Sequence, residues 1–118
     1  MIPSTSLGTA AGEASAGRTR GARIWLATSP VDMRRSFDAL AEHVRTILIG
    51  DPMSGHLFVF RNRNAQRVKI LWWDTNGFAL YYKRLERGTF QFPSSTDKSV
   101  AIESAALVKL LSGYAIGA

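Results

Sequence analysis

Apolar residues recur at two different spacings along this chain. In "RIWLATSPVDMRRSFDALAEHVRTILIGDP", residues 23–52, Met33 is followed by Phe37, Leu40, Ala41, Val44, Ile47 and Leu48 at offsets of 4, 7, 8, 11, 14 and 15. That spacing predicts one apolar stripe on a long helix. Arg34, Arg35, Asp38, Glu42 and Arg45 take the opposite side. Ser29 is placed to cap the helix, Pro30 suits its first position and Asp32 completes an S-x-x-D box. Gly50 and Pro52 are placed to stop it. A short strand at 24–27 precedes the helix.

From Gly55 the period drops to two, which predicts strands at 56–62, 67–73, 78–85 and 89–92. The turns between them are read at Asn64-Ala65, Asn76-Gly77 and Arg87-Gly88, with Asn-Gly the strongest hairpin signal. A last strand at 99–102 and a helix from Ser104 to about Ser112 follow, the helix ended by Gly113. The expected fold is α+β: an antiparallel sheet of five or six strands, one long N-terminal helix and one short C-terminal helix. Residues 1–21 are mostly Gly, Ala, Ser and Thr, with Ile2 and Leu7 as their large aliphatics. This segment is expected to be a disordered low-complexity tail, or the product of an upstream start codon, before one α+β domain at 22–118.

The stretch "RVKILWWDTNGFALYYKRLERG", residues 67–88, carries two aromatic pairs around the Asn-Gly turn. Adjacent strand residues face opposite ways, so Trp72 and Trp73 cannot share one stacking platform. Across the hairpin, one face carries Arg67, Lys69, Leu71, Trp73, Phe78, Leu80, Tyr82 and Arg84. The other carries Val68, Ile70, Trp72, Ala79, Tyr81, Lys83 and Leu85. Both faces are apolar near the turn and cationic away from it. Cover is therefore expected on both sides, with Trp72, Trp73 and Phe78 in the core.

Charge adds a second theme. The 118 residues carry a formal net charge of +6 at pH 7. That balance suits contact with nucleic acid, acidic proteins or anionic membrane surfaces. Seven basic side chains, Arg61, Arg63, Arg67, Lys69, Lys83, Arg84 and Arg87, fall within 61–87 against Asp74 and Glu86. Antiparallel pairing gathers them at one hairpin edge. Five are arginine, which suits bidentate phosphate contacts. A solvated edge kept cationic against aggregation is the competing reading.

The residues supply no reaction. The chain has no cysteine, so disulfides and thiolate metal sites are unavailable. Asp32, Asp51 and Asp74 are used by the cap, the helix stop and the turn, and Asp38 and Glu42 face arginines on the helix. A converging carboxylate cluster for two-metal chemistry is therefore not expected. His43 and His56 lie in different elements and make no zinc pattern. No phosphate-binding glycine loop, nucleophile motif, membrane span or secretory signal is present. No cofactor is expected, and a cytoplasmic location is.

Taken together, "IWLATSPVDMRRSFDALA", "DPMSGHLFVFRNRNAQRVKILWWDTNGFALYYKRLERGTF" and "LVKLLSG" resemble the TnpB accessory protein of bacterial insertion sequences of the IS sixty-six type. The match runs from Ile24 to Gly113. Arg34, Arg61, Lys69, Asp74, Gly77, Lys83, Arg84 and Gly88 fall in its most characteristic motifs. The resemblance implies an accessory role in transposition beside a separate transposase that performs the DNA chemistry, distinct from the RNA-guided nuclease of the same name; that the chain itself is non-catalytic is expected from its residues. That transposase is the partner it implies; DNA, with the element's ends as candidates, is the partner expected from the basic hairpin edge, and self-association is compatible with both. Two mechanisms fit: DNA binding through the basic hairpin edge, or docking on the transposase without touching DNA.

Overall fold

A computed structural model describes residues 22–113, so the expected tail at 1–21 lies outside the described residues. The elements run β1 (Ile24–Ala27), α1 (Phe37–His43) continuing as a π-helical turn (Val44–Leu48), β2 (Leu57–Arg61), β3 (Arg67–Asp74), β4 (Gly77–Arg84), β5 (Ser99–Ile102) and α2 (Ser104–Leu111). They form one five-stranded sheet in the order β4-β3-β2-β1-β5.

The sheet is mixed, which corrects the antiparallel expectation. β1 and β2 are parallel, with Ile24 opposite Leu57 and Leu26 opposite Val59, while the other neighbours are antiparallel. The reason is connectivity. A helix between two strands carries the chain across one face, so the second strand returns in the direction of the first.

Each face is covered by one short helix. Leu40, Ala41 and Val44 of the α1 segment bury against Phe58, Phe60 and Leu71. Leu107 and Leu110 of α2 bury against Leu26, Leu57, Val59, Val68 and Ile70 on the other side. Odd and even residues of β2 thus serve different cores, which explains its unbroken apolar run "LFVF".

The long N-terminal helix does not form. Its expected first turn is instead a loop bound to the sheet. The Val31 N–H donates to the Arg61 carbonyl at 2.9 Å, and Asp32 Oδ1 accepts from the Arg34 N–H at 2.8 Å. Lys69 Nζ takes the carbonyls of Met33 and Arg35 at 2.7 and 2.6 Å. Those carbonyls are acceptors a helix starting at Pro30 would need, so tertiary contacts override the capping box. Helix begins only at Phe37, where Leu40 N–H reaches the Ser36 carbonyl at 2.9 Å. At its far end Ile49, not Gly50, adopts the left-handed conformation, at φ 56°. The Gly50 N–H then closes onto the Val44 carbonyl at 2.9 Å.

The expected strand at 89–92 is also absent. Phe90 is buried and Phe92 packs against the α2 core, while the Phe90 N–H donates to the Ala65 carbonyl. The alternation of Phe90 and Phe92 records burial, not strand pairing. From β4 the chain therefore crosses to the opposite edge, where β5 pairs with β1. Among the described residues, no helix is long and apolar enough to cross a membrane.

Candidate nucleic-acid interface

The basic end of the sheet is organised by Asn62. Its Oδ1 accepts from the N–H groups of Gln66 and Arg67 at 2.9 and 3.0 Å, and its own N–H donates to the Arg67 carbonyl at 3.2 Å. An Asn side chain that stands in for a main-chain acceptor closes a loop in this way. The loop leaves Arg63 exposed at its tip. The 85–90 segment meets the same loop, since Leu85 N–H donates to the Gln66 carbonyl at 3.0 Å. Arg63, Arg67, Arg84 and Arg87 consequently gather at one end of the sheet.

Arg67 lies directly opposite Arg84. Arg67 Nη1 donates to Tyr82 Oη at 2.8 Å, and Arg84 pairs with Glu86 at 2.9 Å in an exposed ion pair. Among the described residues, Arg63 and Arg87 have no carboxylate partner. A groove of about 450 Å³ runs beside this end, lined by Asn62, Arg63 and Arg67 on one wall and Pro30 to Met33 on the other.

Three of the seven expected site residues are committed elsewhere. Lys69 is only 6% exposed; its ammonium holds the Met33 and Arg35 carbonyls and stands 4.7 Å from the Tyr82 ring centroid. Lys83 Nζ donates to the Leu111 carbonyl at 2.8 Å, satisfying an orphan acceptor at the end of α2. Arg61 Nη2 donates to the Thr28 carbonyl at 2.8 Å, and its guanidinium stacks 5.7 Å from the Phe92 ring. Its Nε is buried with no partner among the described residues.

The sequence reading left out the loop at 31–36. It carries Arg34 and Arg35 just beyond the Pro30–Met33 wall of the groove, and Lys69 anchors it through the Met33 and Arg35 carbonyls. Arg34 holds Asp32 through contacts of 2.6–3.1 Å, and this hydrogen bonding holds the Asp32 carboxyl down at about 2. Arg35 Nη1 donates to His43 Nδ1 at 3.2 Å. Burial, and secondarily the Arg35 charge, keeps the His43 imidazole below its ordinary pKa. The adjacent "RR" was the available signal, but the helical reading assigned it to a solvated face.

The aromatic pairs divide as the strand geometry requires. Trp72 packs against the α2 core and Phe78 against the α1 core. Trp73 meets Phe78 edge-on, centroids 5.1 Å apart. Both tryptophans are half-buried, less enclosed than the sequence reading expected. Among the described residues, no group of three or more His, Asp or Glu side chains converges to hold a metal ion.

The sequence model of the TnpB_IS66 family, described as "IS66 Orf2 like protein", matches residues 22–118. This chain belongs to that family. IS66 Orf2-like proteins take part in insertion-sequence transposition, and this family is one of accessory proteins rather than a known enzyme class. Two relatives come from Sinorhizobium fredii. The protein named "Uncharacterized protein y4hO" is 45% identical over 91 residues, covering 77% of this chain and 79% of its own. "Uncharacterized protein y4jC" is 38% identical over 97 residues, covering 82% and 83%. No solved structure matches the chain.

Proposed function

We propose that this IS66 Orf2-like protein is a non-catalytic transposition factor that binds DNA through the arginine end of its sheet. Arg63, Arg67, Arg84 and Arg87 make the phosphate contacts, with Arg34 and Arg35 on the neighbouring loop. Arg61, Lys69 and Lys83 support that surface without touching DNA. The observation that carries the reading is the direct opposition of Arg67 and Arg84. Like charges facing each other across strands are unfavourable, and a bound phosphate turns that repulsion into attraction.

A second reading, docking on the element's transposase, draws on a different surface. Ile47, Ile49 and Met53 at the end of the α1 segment are 40%, 76% and 51% exposed, and grouped exposed apolar side chains mark protein contacts. A salt titration with duplex DNA, set beside a nuclease-treated pull-down with the transposase, separates the two. Affinity that falls steeply with salt supports DNA binding. A transposase complex that survives nuclease, together with no DNA affinity at low salt, replaces it with docking.

A further inference from the structure

The two edges of the sheet are unlike. β5 has four residues, a length that protects an edge by leaving little to pair with. β4 has eight residues and contains no proline. It pairs with β3 in unbroken register from Gly77 to Arg84, so no bulge twists its outer side away. The Leu85-to-Gln66 hydrogen bond sets the phase of the ladder. Hydrogen-bonded pairs alternate in an antiparallel ladder, so Ala79, Tyr81 and Lys83 bond to β3. Phe78, Leu80, Tyr82 and Arg84 then direct their N–H and C=O groups outward. Among the described residues, none of these four has a further main-chain partner.

The cations that commonly guard such an edge are engaged. Lys83 reaches the α2 terminus and Arg84 is paired with Glu86. Phe78, Leu80 and Tyr81 remain half-buried, while Val68, Lys69, Ile70 and Leu71 one strand inward are buried. The edge has polar main chain and apolar side chains to offer.

We propose that β4 pairs with β4 of a second copy, antiparallel about a two-fold axis at Tyr81. This register sets Phe78 opposite Arg84 of the second copy and Leu80 opposite Tyr82. It satisfies every outward amide and carbonyl with about eight main-chain hydrogen bonds. The charge pattern selects the antiparallel sense. β4 is apolar at its start and cationic at its end. Antiparallel pairing sets each Arg84 over a phenylalanine ring, a favourable cation–π arrangement, and keeps the two Arg84 residues about 20 Å apart along the strand. Parallel pairing would stack them. The proposal shares Arg84 with the DNA reading, but its main-chain pairing does not rest on that reading.

Two copies that each carry a formal charge of +6 repel, so salt should strengthen the pair, whereas an acidic strand from another protein would bind more weakly as salt rises. The test is sedimentation of the full chain from about 1 μM to about 1 mM, at salt from about 0.05 to about 0.5 M. Expected is a dimer whose dissociation constant falls about threefold or more with salt. Leu80→Pro removes an outward N–H at an edge position where proline is tolerated, and should raise the dissociation constant about tenfold or more. Should that variant fail to fold, amide exchange of the unaltered protein decides. Phe78, Leu80, Tyr82 and Arg84 should gain protection with concentration, while Ala79, Tyr81 and Lys83 are protected throughout. A monomer at every concentration, a dimer weakened by salt, or a concentration series without this alternation overturns the proposal.

Discussion

The ammonium of Lys69 donates to the carbonyl of Arg35 at 2.6 Å, from a strand position that is otherwise in the core. It is a cation buried against carbonyls, and it anchors the loop that carries Arg34 and Arg35. Lys69→Met keeps the aliphatic stem but leaves the Met33 and Arg35 carbonyls without a donor. Expected is a loss of about 2–3 kcal/mol, since hydrogen bonds to charged groups are strong and a buried orphan acceptor is costly. Urea unfolding measures it. An unchanged midpoint would mean the loop holds its shape unaided.

For the proposed DNA surface, about four phosphate contacts predict a slope near −4 for log affinity against log salt. Replacing Arg63 and Arg67 by Gln should reduce that slope by nearly two units while the melting temperature barely moves, because exposed charges contribute little to stability. Lys83→Gln should behave oppositely, costing about 1 kcal/mol at the α2 terminus and leaving the slope unchanged. Fluorescence anisotropy across a salt series distinguishes them. A folded Arg63/Arg67 variant with the parent's slope takes both residues out of the interface.

The two tryptophans should not be equivalent. Trp72 packs against the α2 core, whereas Trp73 chiefly meets Phe78 near the hairpin tip. Trp72→Ala is expected to cost about 3 kcal/mol and Trp73→Ala about half as much, below the full range for enclosed aromatics because both rings are half-exposed. Thermal denaturation that ranks them the other way would relocate the core of the hairpin.

Ile49 occupies a left-handed position at φ 56° with its side chain mostly in solvent. A β-branched residue is strained there and gains little from burial. Ile49→Gly is therefore expected to stabilise the protein by roughly 0.5–1 kcal/mol, a gain readable as a higher urea midpoint. A destabilised variant would show that the exposed isoleucine packs against something in solution, such as a partner.

Two histidines tie stability to pH. His56 Nδ1 accepts from the Arg23 N–H at 2.9 Å, and His43 Nδ1 accepts from Arg35. Burial first, then the charge of Arg35 beside His43 and of Arg23 beside His56, lowers both pKa values in the folded protein. The unfolded chain thus binds protons more readily. Stability should be complete above the unfolded value near 6.5 and decline as pH falls through it toward the lower folded values. Asp32, held at about 2, titrates well below this window. His56→Asn, which keeps an acceptor without titrating, should flatten the decline in melting temperature between about pH 7 and pH 5. An equally steep decline in that variant would exclude His56 as a source.

Much of the hairpin was legible from residues alone. Period-two alternation settled which side chains share a face of β3 and β4, and the Arg67–Arg84 opposition followed from it, because side-chain direction along a strand is a local property. The α2 segment was equally readable, because Leu107, Leu110 and Leu111 fall on one helical side and Gly113 follows. What happened at residues 29–36 was not. Ser29, Pro30 and Asp32 spell a helix start, and that signal lost to Lys69, 34 residues away from Arg35 in the chain. The same side chain was counted among seven exposed cations until the fold enclosed it. Phe90 and Phe92 alternate as a strand does, yet they fill a core beneath α2. In each case local preference is worth about 1 kcal/mol or less per residue, whereas a buried ammonium or a buried phenylalanine ring contributes more than that. Sequence spacing determined how the strands present their side chains; tertiary burial decided which cations stayed exposed.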